Sequence, residues 1–317
     1  MAKVVSLGIH IVDVLGRPVA EVPKGQGLAL LDLIRFTVAG TAAGTSIDMA
    51  KLGLDVFTMG AIGQDEIGEF LIATMQRFGV NTGNLVRKPY AQTSCTMLPI
   101  RPNGERPALH VIGANGELTI DDINFDTIAA ANFLHIGGAP LMRKFDGEPA
   151  SRVLKFAKER GVTTTFDLLG IAQANLSDLI AVCLPHIDFF MPNYEESQMI
   201  CGLTAIDEIL NCFLDQGAGH VVLRLGEKGS VVGWLENGVL KQLKVPAFEV
   251  PVVDSTGCGD GYNAGFIKGL SLKWDLEQCG RIASACGGLV IQGLGSDAGI
   301  KDFEQVMEFA RTAQVKA

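Results

Sequence analysis

The chain has 317 residues, 48% hydrophobic and 19% charged, with a formal net charge of −9. It is long enough to bury a sizeable core. Its acidic balance, with no Lys/Arg cluster, argues against non-specific binding to nucleic acid or to an anionic membrane surface.

The N-terminal run "MAKVVSLGIHIVDVLG" is apolar but broken by His10 and Asp13, and no small-residue cleavage site follows. It reads as a first buried strand rather than a signal peptide, and apolar runs elsewhere are too short to span a bilayer. "KVVSLGI" predicts a strand and "TAAGTSIDMAKLG" a helix; "DVFTMGAIG" and "EIGEFLIATMQRFG" repeat the pair. Further on, "NFLHIGG", "GEPASRVLKFAKERG", "VTTTFDL", "HIDFFMPN" and "HVVLRLG" continue the alternation, bounded by Gly, Pro or Asn. Strands alternating with amphipathic helices predict an α/β fold, a mostly parallel sheet with helices on both faces. Residues 11–38 and roughly 90–112 break the rhythm with strand-like segments and no helix. Together they predict a small accessory β-sheet, a lid beside the carboxyl ends of the core strands. Near the C-terminal end "FEVPVVD" predicts a strand and "GDGYNAGFIKGL" a helix. Seven scattered cysteines without a C-x-x-C pair predict reduced thiols and a cytoplasmic setting, and five histidines without ligand spacing predict no zinc site.

The chemistry concentrates in "VVDSTGCGDGYNAGF", residues 252–266. A glycine-rich turn opening a helix presents unpaired backbone N–H groups and makes an anion site. An acid in that turn, Asp260, repels a bound phosphate unless it serves the reaction, and the task that fits is taking a proton from an attacking nucleophile. The spacing matches neither a Walker loop nor a dinucleotide fingerprint, which would need a glycine where Tyr262 stands. A glycine-rich strand-to-helix turn with a capping Asp is the bland alternative.

"DSTGCGD" resembles the D-T-x-G-A-G-D signature of the ribokinase-like (PfkB) carbohydrate kinases. Other segments follow in that family's order: "VAGTAAGTSIDMAKLGLDV", "GAIGQDEIGEFL", "GANGELT", "NYEE" and "LGEKGS". The resemblance implies a single kinase domain over 1–317 that moves the γ-phosphate of ATP to a hydroxyl of a sugar or sugar-like alcohol. A nucleoside acceptor is the alternative, and a non-catalytic ligand sensor a third reading. By the same resemblance Asp260 is the general base, and Gly257, Cys258 and Gly259 supply the anion hole. Asp13 and Gly40 hold the acceptor, with Gly44 standing where the family carries a hydroxyl-binding Asn. Asn193 and Glu196 organise Mg²⁺ through water. Gly226 and Gly229 approach the nucleotide, while Ser284, Gly288 and Gly295 lie along the adenine. Arg224 replaces a common Thr and reads as a phosphate contact or a solvated surface arginine. Asp254 and Thr256 match positions that hold a monovalent cation, K⁺, in some relatives. "DLLGI" from Asp167 lacks the Asn and Arg of the family's D-x-N-x-R, which predicts a larger, less polar acceptor pocket. Cys258, in place of Ala, reads as a packed small residue or as an oxidation-sensitive thiol activated by the helix N-terminus. Dimerisation through the lid is also implied.

Overall fold

The computed structural model describes residues 1–103 and 105–316; Gly104, inside the 90–112 excursion, and Ala317 lie outside it. In chain order the strands are β1 (Lys3–Gly8), β2 (Ile11–Arg17), β3 (Leu33–Ala39), β4 (Asp55–Gly63), β5 (Asn81–Lys88), β6 (Cys95–Pro99) and β7 (Leu109–Val111). They continue as β8 (Phe133–Ala139), β9 (Thr163–Leu168), β10 (Phe189–Phe190), β11 (His220–Arg224), β12 (Ser230–Glu236) and β13 (Val239–Val245). The helices are α1 (Thr41–Lys51), α2 (Glu66–Arg77), α3 (Phe125–Ala129), α4 (Glu148–Glu159) and α5 (Leu176–Ala181), then α6 (Tyr194–Cys201), α7 (Ile206–Asp215), α8 (Cys258–Ser271), α9 (Leu276–Val290) and α10 (Phe303–Thr312).

The fold is α/β: a nine-stranded sheet, ordered β13-β12-β11-β10-β9-β8-β1-β4-β5, carries helices on its faces, and a four-stranded sheet, β3-β2-β6-β7, stands beside it. From β11 to β5 neighbouring strands run parallel, and β12 and β13 close the far edge antiparallel. Val4, Val5 and Leu7 of β1 have no exposed surface, as a strand covered on both faces requires. One apolar core lies under α4, α5 and α7, and a second lies under α1, α8 and α9.

Two elements depart from the sequence reading. The N-terminal run is not one strand: β1 belongs to the large sheet and β2 to the small one, with Ile9 and His10 between. His10 is fully buried there, its ring joined to Gly8 O at 2.9 Å and Thr58 Oγ1 at 2.7 Å. Asn115 clamps the same residue by accepting its backbone N–H and donating to its carbonyl, both at 3.0 Å. The second departure is "FEVPVVD", which pairs with no sheet and holds one isolated bridge, Phe248 to Val315. Pro251 removes a ladder donor, and the N–H groups of Glu249 and Val253 find Gln314 O and Ile291 O instead.

The glycine face of α8 is what seats that helix. A β-carbon at Gly265 would lie 2.8 Å from Ala283 Cα, and one at Gly269 2.8 Å from Cys279 Cα, so α8 and α9 touch nearly backbone to backbone. The neighbouring face, Tyr262 and Phe266, packs on Phe189 and Met191 at β10.

Candidate active site

A cavity of about 500 Å³ opens at the carboxyl ends of the parallel strands and extends under the small sheet. The residues that follow β1, β8 and β10 and the last residues of β9 and β11 form one side of it. Ligands of open α/β sheets collect at this edge. A larger concavity of about 810 Å³ between α9 and α10, lined by Trp274, Arg281, Met307 and Arg311, contains none of the residues singled out in the sequence.

The register of the small sheet decides what faces this cavity. Asp13 pairs with Thr37 on β3 and Thr96 on β6, and Thr96 pairs with His110 on β7. Asp13, Thr96 and His110 all line the cavity. The next row, Phe36, Val14, Met97 and Leu109, turns to the opposite side because side chains alternate along a strand. Asp13 therefore lies inside β2, not just past the first strand. Burial raises its carboxyl to about 6, against the lowering effects of the Thr96 hydroxyl and the Arg106 guanidinium.

Asp260 sits in the first turn of α8, on the cavity wall and 7% exposed. Burial raises its carboxyl well above the ordinary range, and the Asp167 and Asp48 carboxylates push it further the same way while Arg224 pulls it back. Gly44 does not line the cavity. It lies behind Asp260, where a β-carbon would come within 2.5 Å of Oδ2, so the glycine leaves room for that carboxyl group. Gly257 is the residue before α8, at φ 79°, and a side chain there would strike Ser296. Gly257 and Gly259 line the cavity, as does Gly40, which sits at φ 95° against Ile9 O.

Arg224 is not a surface residue. Its side chain is 11% exposed, Nη2 donates to Asp167 Oδ1 at 2.6 Å and to Glu196 Oε2 at 3.5 Å, and Nη1 lies where a β-carbon on Gly259 would be. Asn263 donates to the other Asp167 oxygen at 2.6 Å, which fixes that carboxylate between α8 and β11. Although "DLLGI" lacks the arginine of the family pattern, a guanidinium reaches Asp167 from β11. Around it Leu141, Leu168, Leu169 and Ile171 give the cavity its apolar side.

Asn193 and Glu196 cap α6 reciprocally: Asn193 Oδ1 accepts from Glu196 N at 2.8 Å, and Glu196 Oε2 accepts from Asn193 N at 2.7 Å. Helix capping thus accounts for both residues, the glutamate included. Both also line the cavity, and burial raises the Glu196 carboxyl above its ordinary range while Arg224 draws it down. No cluster of three or more His, Cys, Asp or Glu side chains that could hold a metal occurs among the described residues. A magnesium ion held largely by phosphates and water needs no such cluster.

The remaining predicted residues lie apart from the cavity. Gly226, at φ 59°, has open space where a side chain would go, whereas Gly229, at φ 85°, lies against Val245 O. Ser284 donates to Pro246 O at 2.9 Å, and Gly288 packs on Phe309 and Phe248. Gly295 is at φ 85° and donates its N–H to Asp254 Oδ2 at 2.9 Å. Cys258 is half-buried, and burial with the Asp254 and Asp260 charges pushes its thiol up to about 12, the direction opposite to activation by the helix terminus. The sequence reading missed Thr96, Arg106, His110 and Ser296, which no local motif marks and which only the folded accessory sheet and the 290s loop bring to the cavity.

The chain is 24% identical to a deoxyribokinase of Salmonella typhi over 308 residues, covering 96% of this chain and 97% of that protein. It is 24% identical to a nucleoside kinase of Methanothermobacter thermautotrophicus, covering 89% and 87%. The structure of Arabidopsis thaliana ribokinase complexed with ribose and ATP superposes with a TM-score of 0.83 at 22% identity, covering 98% and 99% of the two chains. A family profile described as pfkB family carbohydrate kinase matches residues 1–302, and the chain belongs to that family.

Proposed function

We propose that the protein transfers the γ-phosphate of ATP to a hydroxyl of a sugar or sugar-like alcohol. The observation that carries this reading is the buried Asp260 in the glycine-rich turn that opens α8, on a cavity that Asp13 also lines. In the proposed reaction Asp13 and its neighbours Thr96 and His110 hold the acceptor hydroxyls. A carboxylate suits a polyol because it accepts two hydrogen bonds at once. Asp260 takes the proton of the attacking hydroxyl as the oxygen–phosphorus bond forms and the bond to the bridging oxygen of ADP breaks. The amides of Gly257 and Gly259, with the Arg224 guanidinium over Gly259, hold the negative charge that spreads over the transferring group, while the Cys258 N–H turns back to Ser255 O at 3.4 Å. Asp260 must be ionised to act as a base, and the Arg224 guanidinium favours that form against the burial and neighbouring carboxylates that raise its carboxyl well above the ordinary range. Were magnesium to bind with the nucleotide it would offset phosphate charge, and Glu196 and Asn193, on the cavity wall, would hold its waters.

The apolar side of the cavity and the nucleoside kinase among the relatives support a second reading, a nucleoside acceptor. ADP release measured against ketoses, aldoses, deoxy sugars, sugar acids and nucleosides separates the two. Turnover of none of them with ATP binding intact would overturn both in favour of a ligand sensor. Asp260→Asn is expected to keep ATP affinity and lose about 10²–10⁴-fold in kcat; turnover near wild type would remove Asp260 from the mechanism. We further propose that two copies pair through the outer face of the small sheet.

A further inference from the structure

Asp254 precedes the glycine turn and is the carboxylate that the family resemblance gives to a monovalent cation. Its oxygens are already engaged by donors of this chain. Oδ1 accepts from Thr256 N at 3.0 Å and from the Thr256 hydroxyl at 2.8 Å, and it also pairs with the Arg106 guanidinium. Oδ2 accepts from Gly295 N at 2.9 Å. The Asp254 side chain is 1% exposed, so the surroundings that would have to rearrange to admit an ion are protein. Arg106 is anchored a second time, Nη2 donating to Ser255 Oγ at 2.8 Å. A coordinating oxygen must turn a lone pair toward its cation, but N–H and O–H groups converge on this one. The adjacent guanidinium repels any second positive charge. Although burial pushes Asp254 upward, these donors and the arginine hold it below the usual carboxylate range, as a permanent anion. The donor set fits a resident arginine and does not fit a free ion.

Arg106 comes from the connection between β6 and β7 of the small sheet, 148 residues from its partner, and it also lines the cavity near Asp13. We propose that Arg106 replaces the monovalent cation at the turn before α8, and that it ties the geometry of the anion-hole turn to the position of the small sheet over the acceptor. Arg106 is thus a positioning residue: it acts through Asp254 and Ser255 on the amides of Gly257 to Gly259. The kinase reading enters only the activity half of the test.

Nucleotide-free protein is unfolded thermally in KCl, NaCl and tetramethylammonium chloride at equal ionic strength, as wild type, Arg106→Ala and Arg106→Gln. The wild type is expected to show one midpoint in all three salts. Both variants are expected to melt lower in tetramethylammonium and to recover about 2 °C or more in KCl, as the vacated carboxylate takes up the ion. With an accepted acceptor, wild-type turnover is expected to ignore the choice of salt. The Ala and Gln variants should become dependent on K⁺ by about tenfold, in kcat more than in the KM for ATP. A wild type selectively stabilised or activated by K⁺, or variants indifferent to K⁺ in unfolding, would overturn the proposal. If no acceptor is turned over, the kinase reading fails and the unfolding measurements still decide the role of Arg106.

Discussion

Asp13 and Asp260 are both buried carboxyl groups on one cavity, yet their surroundings set them apart. Asp13 has a hydroxyl and a guanidinium to temper its burial, whereas two further carboxylates, Asp167 and Asp48, stand around Asp260. Asp48 has no exposed surface; Lys51 Nζ lies 3.5 Å from its Oδ1, and its Oδ2, without a hydrogen-bond partner, lies 3.4 Å from where a β-carbon on Gly261 of α8 would be. If Asp13 holds the acceptor as an anion, recognition weakens as pH falls through about 6, where that group takes up a proton. Asp13→Asn is expected to raise the acceptor KM by about 10–100-fold with a smaller change in kcat, the loss of a hydrogen bond to a charged group. It should also flatten the rise of KM below pH 6. Steady-state kinetics between pH 5 and 8 would check this, and an unchanged KM would place the acceptor elsewhere.

At the scale of elements, the small sheet is two-faced. One row carries Asp13, Thr96 and His110, and the adjacent row carries Phe36, Val14, Met97 and Leu109, of which Phe36, Met97 and Leu109 are each more than half exposed. Ile34, 62% exposed, extends the apolar patch along β3. Contiguous exposed apolar surface of this kind marks an association site. Phe36→Glu is expected to convert a dimer into a monomer in analytical ultracentrifugation without unfolding it, since the side chain is 56% exposed. A wild type that is monomeric at all concentrations would refute the pairing. These strands also mark where sequence reading worked and where it ran out. The break in α/β rhythm was visible because no 3.6-residue period links the strand-like pieces, and the glycine face of α8 was visible because Gly261, Gly265 and Gly269 are four apart. That "VVSLGIHIVDVLG" serves two sheets was not visible, since hydrophobicity is the same on either side of His10 and only the buried ring and Asn115 mark the crossing. Arg224 was misjudged in part because its neutralising partners, Asp167 and Glu196, are 57 and 28 residues away. A lone arginine in sequence carries no sign of burial.

For the molecule as a whole, the buried acids give stability a direction with pH. Burial raises Asp13 to about 6 and Asp48 and Asp146 to about 7. Each keeps its proton in the folded state over a range where the unfolded chain has lost it. The stability this contributes is full below the ordinary carboxylate range, near pH 4, and is lost as pH rises through 6 to 7. His10 and His135 act oppositely: burial lowers them to about 4 and about 3, so they cost stability as pH falls below about 6.5. Burial lowers the other three histidines as well, so the acids act with little opposition only above about pH 6.5. The thermal midpoint of the ligand-free protein is expected to be lower at pH 8 than at pH 6.5 by about 2 °C. An equal or higher midpoint at pH 8 would mean that these acids are ionised in the folded chain.

The pairing of β2 with β3 and β6 has a consequence for how this chain tolerates insertions and deletions. Because Asp13 and Val14 are neighbours on one strand, a one-residue slip of β2 exchanges their sides. The carboxylate would then lie on the outer surface among Phe36 and Met97, and valine would take its place above the cavity. Gain or loss of a single codon between His10 and Asp13 would thus strike the proposed acceptor recognition and the proposed subunit pairing together. The short link after β1 is therefore a place where length, more than residue identity, is under constraint.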